Sequence, residues 1–370
     1  MTMNCPRKTR LLVLAQSLLL LTPMVLAQEP AATAPAKPPA AAQAPKAPEQ
    51  SQTPTKIVVN PTLVVVPVTV KDRSGNLVAD LRKDEFRIFE DNVEQKITFF
   101  TAEVFPISMV VLIDNDLKRK DADQVEPSLR AIVGGMSAID EAFICTFDQY
   151  FHEGHGFTRD QDKLITELRR KDVSSKSAPS VAPAGGPFEG PTINGAPVQG
   201  APMNDPSLRA IKGQPTKALD DAVYSAAMLL QDRPSRNRRK VILLISDGQN
   251  GGKFNTHKYD ETRDELLRQG ITLYSVAVGS AFFERKFSRL EEYAHDTGGD
   301  VYFGAKSGTF EEFYSRVTEQ ARNQYTLYFS PNGERKVDCH NLEVRVRREG
   351  LTILTRKRYC GGTFATEAPR

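Results

Sequence analysis

The sequence is poor in the motifs that mark common catalytic chemistries. It contains no Gly-x-Ser-x-Gly elbow, no phosphate-binding loop and no Cys-x-x-Cys pair, so the usual signatures of α/β-hydrolases, nucleotide hydrolases and dithiol redox proteins are missing. Histidine is scarce, with five in 370 residues. Two of these lie in His152-Glu153-Gly154-His155, three apart rather than the four apart of a helical zinc-protease motif, and this stretch reads as a surface hairpin. A hydrolase using His152, Glu153 or an acidic cleft is therefore the weakest functional reading, because no nucleophile and base are spaced to converge. A broad basic surface with interleaved aromatics is also lacking. Arg236-Asn237-Arg238-Arg239-Lys240 and the basic residues from Arg345 to Arg358 each adjoin a strand, and nucleic acid is not an expected partner.

The apolar run at residues 11–21 is too short to be read as a membrane span. Arg7, Lys8 and Arg10 precede it and Val25-Leu26-Ala27 follows, ahead of a cut at Gln28, which is the pattern of a secretory signal. The mature chain is expected in the periplasm, at the cell surface or outside the cell, with membrane contact only through the cleaved segment. Cys5 lies too early to be a lipid-anchor cysteine. Residues 1–27 carry three positive charges and no negative ones, so their removal takes the formal charge from +3 to 0. The basic balance belongs to the signal.

What is present divides the chain into six parts. After the signal, residues 28–56 are mostly Ala and Pro and are expected to be a disordered tether. Residues 57–104 hold β segments near 63–70, 86–89 and 97–100, with turn chemistry at Asp72-Arg73-Ser74-Gly75-Asn76 and Glu90-Asp91-Asn92. Residues 105–322 alternate strands with helices. Strands are expected at 107–114, 141–148, 240–246, 271–278 and 300–303, and helices near 122–138, 160–170, 218–232, 259–269, 285–296 and 308–322. This alternation predicts a doubly wound α/β domain, mostly parallel, with helices on both faces of the sheet. A Pro, Gly, Ala and Ser-rich insertion at 174–214 interrupts it and is expected to be disordered; such a loop adds only about 1.2 kcal/mol of closure entropy over one a quarter of its length. Residues 323–362 return to strands and 363–370 form a tail. Both β flanks are too small to stand alone, so they are expected to pack together as one accessory β domain.

Two aliphatic runs end in acidic residues: Val110-Val111-Leu112-Ile113-Asp114-Asn115-Asp116-Leu117-Lys118 and Val241-Ile242-Leu243-Leu244-Ile245-Ser246-Asp247-Gly248. Such runs read as strands buried on both faces, whose carboxyl ends open on the ligand crevice of a parallel sheet. With Thr216 between them, they resemble the von Willebrand factor A domain and its metal-ion-dependent adhesion site. That family's pattern is Asp-x-Ser-x-Ser after the first strand, a Thr in a later loop, and Asp-Gly after a later strand. The resemblance covers residues 60–360 and extends to bacterial exported proteins with flanking β segments.

By that resemblance Asp114, Asp116, Thr216 and Asp247 are candidate ligands of a hard divalent cation, with magnesium the expected ion. Asp114, Asn115, Lys118, Thr216 and Asp247 form the candidate binding face. The two serines are replaced by Asp116 and Lys118, a charge-balanced exchange. Two states follow: a metal-free cluster with the Lys118 ammonium in the metal's place, or a bound metal with Lys118 turned outward.

The terminal strands allow a register prediction. If Glu349-Gly350 is a two-residue turn, opposed residues sum to 699, which puts the apolar Leu342, Val344 and Val346 on one face with Tyr359, Ile353 and Leu351 and pairs Glu343 with Arg356 on the other. Cys339 then faces Cys360 at a non-hydrogen-bonded pair, and a disulfide is expected. Cys145, in an apolar run, is expected to be a buried free thiol. The leading functional expectation is an exported non-enzymatic module that binds a protein partner through the degenerate adhesion site. The alternative is an envelope assembly or scaffold component that holds no metal.

Overall fold

The computed structural model describes residues 63–171, 173–174, 192–193, 196–197, 217–233, 238–279, 289–304, 307–331, 339–361 and 364–365. The expected signal peptide and tether, most of the 174–214 insertion, and Thr216 lie outside them. In chain order the strands are β1 (Leu63–Lys71), β2 (Phe86–Glu90), β3 (Val93–Gln95), β4 (Ile97–Thr101), β5 (Ile107–Asp114), β6 (Glu141–Phe147), β7 (Phe151–His152), β8 (Thr192–Ile193) and β9 (Ala196–Pro197). They continue with β10 (Arg239–Ser246), β11 (Ile271–Ala277), β12 (Val301–Phe303), β13 (Tyr325–Phe329), β14 (His340–Val346), β15 (Thr352–Thr355), β16 (Arg358–Tyr359) and β17 (Phe364–Ala365). The helices are α1 (Arg119–Ser128), α2 (Ala131–Gly134), α3 (Gln161–Arg169), α4 (Leu219–Gln231), α5 (Tyr259–Gln269), α6 (Arg289–Thr297) and α7 (Ser307–Arg322).

The aliphatic runs build the central sheet, in the order β12-β11-β10-β5-β6-β7. All neighbours are parallel except β7, which returns antiparallel along β6. Every residue of β5 and β10 is buried. The two-residue side-chain period of a strand divides β5 between two cores. Ile107, Met109, Val111 and Ile113 pack with helices α1, α2, α3 and α7, whereas Val110 and Leu112 pack with α4, α5 and α6. A continuous aliphatic run is what a strand covered on both faces requires. The helix expected at 122–138 is instead two helices, separated at Leu129–Arg130 just after Pro127. Proline lacks the N–H that would continue the ladder and crowds the preceding turn.

The flanks form two further antiparallel sheets, β15-β1-β13-β4 and β16-β14-β2-β3, with β17 also paired to β1. Each sheet mixes strands from before and after the α/β region: β1 pairs with β13, and β2 with β14. Their inner faces share one apolar core that includes Val66, Val68, Ile88, Leu327, Phe329, Leu342 and Val344.

The expected terminal hairpin is half right. The turn falls at Glu349-Gly350, where Gly350 has φ +75° and a Cβ would meet the Arg73 guanidinium at 2.8 Å. At its base the expected register is present: His340 faces Tyr359 and Asn341 faces Arg358. Leu342 N–H donates to the Lys357 carbonyl at 2.8 Å, which makes 342/357 a hydrogen-bonded pair and 339/360 a non-hydrogen-bonded one. Cys339 and Cys360 are joined by a disulfide, and Cys145 is a buried free cysteine.

Beyond that base the strands part. β15 pairs with β1 in the other sheet, while β14 pairs with β2. Glu343 therefore does not face Arg356; it forms an ion pair with Arg345, and Arg356 is buried. Both β1 and β2 would otherwise present an open edge, and splitting the hairpin gives each a partner. A cleft of 340 Å³ opens where the strands diverge, lined by Leu342, Val344, Ile353, Thr355, His295 and Gly298.

The β sandwich docks at the amino ends of the parallel strands. Arg239, the first residue of β10, donates to the Gln324 carbonyl at 3.0 Å and the Thr326 hydroxyl at 2.7 Å, and lies over the Phe105 ring. Lys71 of β1 forms an ion pair with Asp300, just before β12. Gly298, with φ +81°, touches the backbone of Thr355 and Arg356, where a Cβ would sit 2.5 Å from Arg356 N. The opposite, carboxyl end of the sheet is left to the candidate site.

Candidate recognition site

β5 and β10 are neighbours at the point where the strand order reverses, so their carboxyl ends bring Asp114 and Asp247 into one crevice. Asp114 is fully buried and Asp247 is 5 % exposed. Asp114 Oδ1 accepts the Asp116 backbone N–H at 3.0 Å. Asp114 Oδ2 accepts the Ser246 hydroxyl at 2.8 Å and Lys217 Nζ at 2.8 Å. Lys217 Nζ also donates to Asp247 Oδ1 at 2.9 Å. The expected pair of carboxylates is thus brought together, with a lysine between them.

The surrounding backbone holds this arrangement in place. The Gly251 N–H donates to the Lys217 carbonyl at 2.7 Å, and the Ala218 N–H to the Asp148 carbonyl at 2.9 Å. Gln249 N–H donates to Asp247 Oδ1 at 3.1 Å, and Leu219 N–H to Asn250 Oδ1 at 3.2 Å. Asn115 N–H reaches the Phe147 carbonyl at 2.9 Å. The loops after β5, β6 and β10 and the start of α4 are therefore tied to one another around the triad.

Burial pushes the Asp114 carboxyl up to about 6; Lys217 pulls it down and Asp247 pushes it up further. For Lys217, burial disfavours the ammonium, but the two carboxylates outweigh it and hold its pKa above the usual lysine value. Two carboxylates and one ammonium leave the ionised triad with one net negative charge. A buried charge cluster persists only when its members are paired and hydrogen-bonded, and each here is.

The lysine is not the expected one. Lys118 is exposed and precedes α1, where its carbonyl accepts the N–H groups of Asp121 and Ala122. As the N-cap it stays exposed at the surface, and the position of the buried ammonium falls to Lys217. Charge balance in the sequence called for a lysine, but Lys118 stood nearer to the motif. The available signal was Lys217 directly after Thr216 and ahead of a helix whose first turn holds Asp220 and Asp221. Asn115 and Asp116 are half-buried at the rim. His152 contacts the partly exposed Asp148, and the exposed His155 contacts the largely buried Glu167.

A divalent ion does not fit the site as built. Magnesium would need oxygen ligands at about 2.0–2.1 Å, and one oxygen each of Asp114 and Asp247 is already engaged by the ammonium. At 4 Å and an effective dielectric of 20, a divalent ion beside an ammonium is opposed by about 8 kcal/mol.

Residues 207–316 match the family model described as von Willebrand factor type A domain. Over that span the chain is similar to a von Willebrand factor type A domain. The matched span includes Lys217 and Asp247 but stops short of β5 and residues 114–118, where the two serines of the pattern are replaced. No curated protein matches the chain in sequence. Solved structures similar to it include BatB from Bacteroides thetaiotaomicron, at 13% identity and TM-score 0.38, covering 59% of this chain and 98% of that one. The von Willebrand factor type A protein from Catenulispora acidiphila is 8% identical, with TM-score 0.41 and coverage of 82% and 75%. The manganese-loaded TRAP protein of Plasmodium vivax is 11% identical, with TM-score 0.37 and coverage of 70% and 96%. Likenesses of this size carry no statement about the activity of this chain.

Proposed function

We propose that the protein is an exported, non-enzymatic recognition module that binds a protein partner at the carboxyl end of the A-domain sheet. The observation that carries this reading is the buried Asp114–Lys217–Asp247 triad at the sheet's switch point, facing away from the docked β sandwich. The triad serves as a rigid base, and the accessible groups above it are Asn115, Asp116 and Lys118. An open end of the sheet, loops tied to one another, and charges of both signs at the rim suit recognition of a polar protein surface. Among the described residues no helix is long and apolar enough to cross a membrane.

The test is capture of a partner from the envelope fraction by cross-linking, compared between the wild type and the charge reversals Asp116→Lys and Lys118→Glu. Both positions are solvent-accessible, so the variants should keep the wild-type melting temperature while losing capture of the same protein. Undiminished capture by both folded variants would place the partner elsewhere and sink the reading.

A further inference from the structure

We infer that Lys217 is a cation built into the chain at the position where A domains of the intact pattern hold a divalent ion, and that it keeps such ions out. Three observations point to this. First, Lys217 Nζ touches one oxygen from each of the two aspartates that define the crevice, at 2.8 Å and 2.9 Å, while its side chain is only 3% exposed. Second, the ammonium is anchored from behind. The Lys217 carbonyl receives the Gly251 N–H and the next residue's N–H is fixed to the Asp148 carbonyl, so two loops hold the backbone from which the side chain enters the crevice. Third, the Asp114 oxygen that receives Lys217 also accepts the Ser246 hydroxyl, so its lone pairs are already used.

The exchange is chemically coherent. An ammonium is a compact point charge with three donors on a flexible stem, able to bridge two carboxylates much as a small cation does. It differs in being closed to the surface: two of its donors are spent on Asp114 and Asp247, and with its side chain only 3% exposed the third is not presented to a partner's carboxylate, so the crevice becomes a fixed structural element rather than a metal-gated one. This inference concerns the isolated chain and stands whether or not the recognition surface proposed above is correct.

The experiment is a titration of the mature chain with manganese or magnesium, following the thermal midpoint and the loss of the free Mn²⁺ resonance signal. Specific binding to the native state must raise the midpoint with ion concentration. The wild type should show no saturable response through the low millimolar range, and chelator should leave its midpoint unchanged. Lys217→Ala removes the built-in cation, and this variant should gain a saturable rise of about 4 °C or more. The gain should disappear in Lys217→Ala combined with Asp247→Asn. Saturable binding by the wild type that Asp247→Asn abolishes would overturn the inference. So would a folded Lys217→Ala variant that gains no binding. If Lys217→Ala does not fold without metal, the wild-type titration decides alone.

Discussion

At the scale of residues, the triad combines a strong local requirement with a defined pH dependence. Removing the ammonium leaves two carboxylates buried against each other, so Lys217→Met is expected to cost about 3–5 kcal/mol in denaturant unfolding at neutral pH. The triple exchange Asp114→Asn, Lys217→Met, Asp247→Asn should recover most of that loss, because uncharged groups of similar volume need no counter-charge. Asp114 sets the pH behaviour. Its folded-state pKa, about 6, lies above the ordinary value of 3.8, so the native state binds its proton more tightly than the unfolded chain does. The stability this supplies is fully present below pH 3.8 and is lost as pH rises through 6. Urea midpoints from pH 4 to 7 should therefore fall more steeply for the wild type than for Asp114→Asn. Equal slopes would show that Asp114 is not perturbed. Cys145 is the other buried group to test: burial pushes its thiol up to about 12, and it should resist alkylation until the domain unfolds.

At the scale of elements, the informative feature is the hairpin that begins in one sheet and divides between two. Between Cys339 and Cys360 the chain runs out along β14, turns at Gly350, and returns through β15 in the opposite sheet before closing at β16. The disulfide thus closes the excursion through β15 at the edge of the β16-β14-β2-β3 sheet, beside the β14/β16 pair. Replacing both cysteines by serine should lower unfolding free energy by about 3 kcal/mol. Hydrogen exchange should accelerate first at residues 340–342 and 358–359, because only there do the two halves pair directly. Uniform acceleration across both sheets would argue that the disulfide stabilises the sandwich as one unit.

At the scale of the whole molecule, the β sandwich and the proposed recognition face occupy opposite ends of the parallel sheet. The docking seam depends on Arg239, whose guanidinium is buried against Phe105 and pulled down to about 10 by that burial, and on the close approach at Gly298. Gly298→Val places a branched side chain at φ +81° against backbone atoms of residues 355 and 356, and should cost at least about 1–3 kcal/mol. The loss should appear as faster exchange in β15 and at the amino end of β11, with partner capture unchanged. If capture falls together with the seam, the two ends are coupled and the recognition surface is larger than the triad's rim.

The sequence by itself determined the alternation of strands and helices, the carboxyl-end placement of Asp114 and Asp247, and the pairing of Cys339 with Cys360. These are legible because local periodicity and turn chemistry act over short separations: Val110 to Asp114 can only be a strand buried on both faces, and the register at 340/359 follows from Gly350. Tertiary structure alone decided which lysine enters the crevice and where each half of the hairpin pairs. Lys118 is close to Asp114 along the chain but stays exposed as the N-cap of α1, whereas Lys217, 103 residues away, is brought in by the start of α4. Likewise, β15 leaves its neighbour β14 for β1 because an open sheet edge nearly three hundred residues upstream needs a partner. Both outcomes turn on burial and pairing between distant segments, and no local pattern encodes that competition.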